Sequence, residues 1–141
     1  MGYRSQVAFI VKFNNTQDRD AMWTLYANCD DKAKQEIAQA MVHQYKDPII
    51  TYQHDDIKWY EGYPFVTAAH AFMDEAHEMF EASYRFVRVG EDYNDVDVQE
   101  QDDDGDLWDY VDVHRSVDTN FPPLADEVSA SSSTATATQG E

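Results

Sequence analysis

Positive charge is scarce in this chain. Ten Lys and Arg stand against 28 Asp and Glu in 141 residues, giving a formal net charge of −18 and an isoelectric point near 4.3. A surface this acidic argues against direct binding to nucleic acid or to anionic membranes, both polyanions, and favours a partner that is itself basic. Cysteine is nearly absent. Cys29 alone excludes an intramolecular disulfide and any multi-cysteine metal centre, and it reads as a packed thiol. No glycine-rich loop offers a phosphate cradle, and Ser5, Ser83 and Ser116 lack a nucleophile elbow. No catalytic residue and no cofactor is therefore expected. No apolar run approaches the ~18 residues of a transmembrane helix. The first residues show no apolar segment of signal-peptide length, and Gln6 stands where a myristoylation signal needs Ser or Thr. A soluble cytoplasmic protein is the expectation.

What the chain does have is an acidic run. From Glu91 to Asp112 there are eleven carboxylates and no Lys or Arg. Asp104-Gly105 inside it is a strong two-residue turn signal, because a type I′ turn needs positive φ at both central positions. With that turn, Val98 meets Val111 and Val96 meets Val113, lining one face with apolar cross-strand pairs. The other face sets Asp97 against Asp112, Asp95 against His114, and Trp108 and Tyr110 beside Gln101 and Gln99. Opposed like charges cost roughly 0.2–1 kcal/mol per pair, and Glu100 facing Asp109 adds another. Such a hairpin serves either as a solvated edge that keeps the protein soluble or as a surface for something cationic. In the second reading the contact residues are Glu91, Asp92, Asp95, Asp97, Glu100, Asp102, Asp103, Asp104, Asp106, Asp109 and Asp112, with Trp108 and Tyr110 as aromatic anchors.

The rest of the chain reads as one α+β domain over residues 1–120. Tyr3–Phe13 alternates Val7, Phe9, Val11 and Phe13 onto one face, with Ala8 and Ile10 on the other, as suits a central strand. Asn14-Asn15-Thr16 supplies a turn and N-cap for a helix from about Gln17 to Asn28. Asp30-Asp31 caps a second helical segment to about Tyr45, either separate from the first or joined to it by a kink. Pro48 ends that region. Ile49–Tyr52 and Ile57–Tyr60 are extended, with a bend or bulge at His54-Asp55-Asp56. Pro64 opens the clearest amphipathic helix, with Phe65, Val66, Ala69, Phe72, Met73, Ala76, Met79 and Phe80 on one stripe. Tyr84–Val89 is a strand that Gly90 breaks, and the acidic hairpin follows at 91–117. Residues 121–141 form a low-complexity tail with nothing to pack, read as disordered. Strand–helix–strand connections then predict a two-layer sandwich: a mixed four- to five-stranded sheet with two or three helices on one face.

Two metal patterns arise and neither is adopted. His70, Asp74, His77 and Glu81 share a helical stripe with the ligand types for Zn²⁺. That stripe lies roughly 90° from the apolar face and is expected to be a solvated rim. The Glu100–Gly105 stretch imitates a calcium loop, but Val111 falls where a bidentate carboxylate is required.

The segments Gly2-Tyr3-Arg4-Ser5-Gln6-Val7, Ile57-Lys58-Trp59-Tyr60 and Arg85-Phe86-Val87-Arg88-Val89-Gly90-Glu91-Asp92-Tyr93 resemble a group of small acidic proteins carried by tailed bacteriophages, mostly without assigned function. The resemblance covers roughly residues 2–117 and implies expression in the cytoplasm of an infected bacterial host, where small acidic phage proteins often inhibit host enzymes and some mimic DNA. The leading expectation is thus an inhibitor that engages a basic host nucleic-acid-binding protein, with the acidic hairpin as its binding surface. The alternative is a structural or accessory phage protein acting through self-association, for example as a homodimer, through the Ala8 and Ile10 face or around Trp59 and Tyr60, with its acidity serving only solubility.

Overall fold

Ser5–Lys12 (β1) is apolar on both faces, and Val7 through Val11 are completely buried. A strand of this kind needs cover on both sides and a neighbour at each edge. The computed structural model provides all of these; it describes residues 3–43, 47–92, 94–102, 107, 110–113, 117–119 and 121, apart from the side chains of 43, 111–113, 117 and 118. The elements are β1, α1 (Thr16–Ala27), α2 (Lys32–Ala40), β2 (Val42–His43), β3 (Ile49–Ile57), α3 (Pro64–Phe80), β4 (Ser83–Val89), β5 (Val96–Gln101), β6 (Val111–Val113) and β7 (Val117–Thr119). The fold is α+β with three helices. Its sheet has four long strands in the order β3-β1-β4-β5, extended past β3 by the two-residue β2.

Every pairing in that sheet is antiparallel, so it is not the mixed sheet expected. The helices still lie on one face. There Val7, Phe9 and Val11 meet Met22, Tyr26, Ile37, Val66, Phe72 and Met73 in one core cluster. The opposite face is covered as well, since Ala8, Ile10, Ile49 and Val87 pack with Leu107, Tyr110 and Phe121. The Ala8 and Ile10 face expected to serve self-association is therefore internal, and Trp59, the other candidate contact, is only 8% exposed.

Local signals set most boundaries. Asn15 caps α1, its Oδ1 accepting from the Asp18 N–H at 2.7 Å. Asp31 caps α2 by accepting from the N–H groups of Ala33 and Lys34. The two helices are separate. α2 stops at Ala40 rather than continuing toward Tyr45, which lies outside the described residues, because Val42 and His43 pair with the open edge of β3. β3 runs unbroken through His54-Asp55-Asp56, and its register against β1 slips by one residue there, as a bulge does.

The acidic hairpin is the main correction. β5 pairs with β4, not with β6: Val98 lies opposite Val87, Val96 opposite Val89, Asp97 opposite Arg88 and Glu100 opposite Arg85. β6 pairs instead with β7. The physical reason is charge. The 98/111 register opposes Asp97 to Asp112 and Glu100 to Asp109, whereas the observed register keeps two valine pairs and gives each of these β5 carboxylates an arginine.

α3 ends on Glu81, which adopts a left-handed conformation (φ 58, ψ 32) while its N–H bonds the His77 carbonyl at 3.0 Å. A side chain there strains the backbone, and glycine does not. Glu81→Gly is expected to stabilise the fold by about 0.5–1 kcal/mol. A urea midpoint that falls instead would show that Glu81 makes a compensating contact.

Candidate functional site

β4 and β5 extend past α3 on the helix side of the sheet and leave a cleft of about 830 Å³. Its floor is Phe86, with the His70 ring 4.8 Å away and Trp59 behind both, its ring 5.9 Å from Phe86. Tyr60 and Glu61 close one end, Asp74 stands on α3, and Arg88, Asp97 and Gln99 line the sheet side. Tyr3, beside Tyr60, and Asp95 complete the lining.

The hub is Arg88. Its guanidinium is bidentate to Asp95, with Nη2 to Oδ1 at 2.5 Å and Nη1 to Oδ2 at 3.2 Å. It also donates to Asp97 Oδ2 from Nε (3.1 Å) and Nη2 (2.9 Å), and to Ser5 Oγ at 3.0 Å. Burial works against the Arg88 charge, but the hydrogen bonds to Asp95 and Asp97 outweigh it and hold its pKa above the ordinary value. The hydrogen bond from Arg88 holds the Asp95 carboxyl below its ordinary pKa, with a second from Tyr3 in the same direction.

Tyr3 locks the β4–β5 turn onto this hub. Its phenol donates to Asp95 Oδ2 at 2.7 Å and accepts from the Asp92 N–H at 2.8 Å. The Tyr3 N–H donates to the Tyr60 hydroxyl at 2.5 Å, and the Arg4 N–H donates to Glu91 Oε2 at 2.6 Å. The three segments quoted for the phage resemblance thus meet at one place, although Tyr3 and Asp95 are 92 residues apart.

Gly90 allows that convergence. A Cβ there would collide with Asp95 Oδ2 and reach within 2.5 Å of the Tyr3 hydroxyl oxygen. Gly90→Ala is expected to cost about 1–3 kcal/mol by driving the carboxylate off Arg88. In an Asp95→Ala background the same substitution should cost clearly less, because the colliding group is gone. Urea unfolding of the four proteins checks this; equal costs in both backgrounds would refute it.

His70 is half-buried, contrary to the solvated rim expected of its stripe. Burial lowers its pKa, although the charges of Asp74, Asp97 and Glu61 oppose the shift. Because the folded pKa lies below the unfolded value of about 6.5, the unfolded chain binds the proton more readily in between. Stability is then unaffected by this group above that pH and declines as pH falls through the window. His70→Gln should flatten this part of the stability–pH curve; an unchanged slope would contradict the burial argument. Asp74 and His77 of the stripe also make hydrogen bonds within the fold. Asp74 Oδ1 accepts from the Tyr84 hydroxyl at 3.0 Å, and His77 Nδ1 donates to the Ala82 carbonyl at 2.9 Å. Burial first, and then that bond to Asp74, push the Tyr84 phenol up to about 12. Among the described residues no group of three His, Cys, Asp or Glu is placed to hold a metal ion.

The expected contact residues separate. Glu91, Asp92, Asp95 and Asp97 gather at the turn and cleft. Glu100 lies on the other face, bound to Arg85 at 2.7 Å. Asp102 Oδ2 accepts from the Leu107 N–H at 2.9 Å. Tyr110 is no exposed anchor, since it packs under the sheet against the Ala8 and Ile10 cluster. Asp103, Asp104, Asp106, Trp108, Asp109, His114, the side chain of Asp112 and the tail from 122 onward lie outside the described residues. Sequence reading missed Tyr3, Trp59, Tyr60, Glu61, His70 and Arg88 as neighbours. One signal was available: Arg85 and Arg88 in an otherwise apolar strand require counterions, and Glu100 and Asp97 stand at matching intervals across Gly90.

Among the described residues no helix is long and apolar enough to cross a membrane. Comparisons with protein-family models, with curated proteins and with solved structures find no match for this chain.

Proposed function

We propose that this protein is an acidic binding protein that engages a basic surface of a nucleic-acid-binding protein and thereby inhibits it. The observation that carries this reading is the charge of the cleft: Glu61, Asp74, Asp95 and Asp97 line it against a single Arg or Lys among the described lining residues, Arg88. The net charge of −18 adds a long-range field that draws in a cationic partner and repels nucleic acid itself. Asp97 and Glu100 are matched to Arg88 and Arg85, so the attraction comes from the surplus carboxylates rather than from a phosphate-like row along β5. On the phage resemblance, the partner belongs to an infected bacterial host.

Immobilised protein should capture a nucleic-acid-binding protein from bacterial lysate at low salt. Duplex DNA added in solution should release it by competing for the same basic surface. For the purified pair, affinity should fall about tenfold or more between roughly 50 and 200 mM salt, as exposed charges become screened. An affinity flat with salt, or a captured protein that DNA does not displace, would defeat this reading.

A further inference from the structure

We propose that the cleft between α3 and the β4–β5 edge is a receptor for a single arginine side chain of the protein partner. The choice of a protein as the source rests on the function proposed above; the guanidinium chemistry rests on the cleft alone.

Arg88 cannot neutralise the cleft. Its donors are committed to Asp95, Asp97 and Ser5, and both oxygens of Asp95 are occupied, by Arg88 and by Tyr3. Acceptors remain on both sides of the opening. Asp74 uses Oδ1 for Tyr84 and leaves Oδ2 without a partner among the described residues, and Asp97 holds Arg88 through Oδ2 and leaves Oδ1. Glu61 makes no hydrogen bond or ion pair among the described residues. Asp74, Asp97 and Glu61 line the same cleft as His70. Burial lowers the pKa of His70 and so disfavours a positive charge on its ring, which forms no hydrogen bond with a described residue.

The space suits a flat cation. At about 830 Å³ the cleft has the volume of a ligand site, and it combines an aromatic floor with a few convergent polar groups. The half-buried His70 ring is the aromatic surface nearest the opening, backed by the buried rings of Phe86 and Trp59, while carboxylates stand on the helix side and on the sheet side. A guanidinium stacks on aromatic faces and presents five donors in a planar fork, so it serves carboxylates on two walls at once. An ammonium is a compact point charge and satisfies one wall. Arginine is therefore favoured over lysine, and its apolar stem covers the floor.

The test titrates isotope-labelled full-length protein with the blocked amides of arginine, lysine and citrulline, reading amide and side-chain NMR signals. Citrulline has nearly the shape of arginine without its charge. The expected result is a saturable shift at His70, Gln99 and the Trp59 indole with arginine, a severalfold weaker response with lysine, and none with citrulline. Asp74→Asn keeps an oxygen for the Tyr84 hydroxyl and removes the charge; it should weaken arginine binding about tenfold, the loss of one charge-assisted hydrogen bond. Asp97→Asn is a second, independent variant, and thermal unfolding of both shows that they remain folded. Equal binding of citrulline and arginine, or shifts confined to residues away from the cleft, would overturn the proposal. Tighter binding of lysine would overturn the guanidinium assignment.

Failure here is separable from failure of the function. If a basic protein binds in a salt-sensitive manner without disturbing His70 or Trp59, the receptor proposal falls and the function stands. If arginine amide saturates the cleft but no basic protein binds, the function falls. The protein source falls with it.

Discussion

Phe72→Ala is expected to cost about 3–5 kcal/mol, the range for truncating a fully buried aromatic. Phe72 is completely buried on α3, and its ring meets that of Tyr26 edge-on at 5.0 Å, joining α3 to α1. Truncation loses the transfer free energy of the ring and leaves a cavity bounded by the sheet, which cannot relax into it. Since domains of this kind are stable by roughly 5–15 kcal/mol, about a fifth or more of the total would be removed. Urea unfolding with an unchanged slope checks the result. A cost below about 1 kcal/mol would mean that the helical layer closes over the gap and that α3 is not the rigid wall of the cleft.

The second large effect is at the hub. Arg88→Met keeps an unbranched side chain of similar reach but leaves Asp95 and Asp97 without their cation. Removing one partner of a buried ion pair costs ~3–5 kcal/mol. Here the Arg88 side chain is 13% exposed, Asp95 32% and Asp97 52%, so solvent screens the Asp97 arm and the expectation falls to about 2–3 kcal/mol. Adding Asp95→Asn to Arg88→Met should recover part of that loss, because the stranded charge is then gone. The pH dependence has a definite sign. The folded pKa of Asp95 is depressed, so its contribution is present above the unfolded value of about 3.9 and disappears as pH falls through the folded one. The gap between wild type and Arg88→Met should accordingly narrow in acid. A gap that stays constant would locate the role of Arg88 in packing rather than in charge.

Sequence and structure divide the molecule along a physical line. Signals that act within a few residues were legible: the Asn15 and Asp31 caps, Pro64 at the start of α3, the stripe from Val66 to Ala76, the bulge in β3 and the break at Gly90. Each depends on backbone preferences or on helical and strand periodicity, which neighbouring residues determine almost alone. The acidity was legible too, and with it the sign of the charge a partner must carry.

The partner of β5 was not legible from those signals. Asp104-Gly105 is a good turn, and it pointed to a hairpin closing on itself. β4 offered β5 the same valine pairing together with two arginines, and that competition is decided between strands rather than within one. The orientation of His70 was decided in the same way, because a helical stripe shows where a side chain points but not that β4 and β5 run on beneath it. The cleft itself joins Tyr3, Trp59, His70, Arg88 and Asp95 from five separate stretches. The sequence by itself determined the elements and the sign of the field. Only the tertiary structure decided which carboxylates are neutralised by arginine and which remain open to a partner, because that depends on contacts between residues up to 92 positions apart.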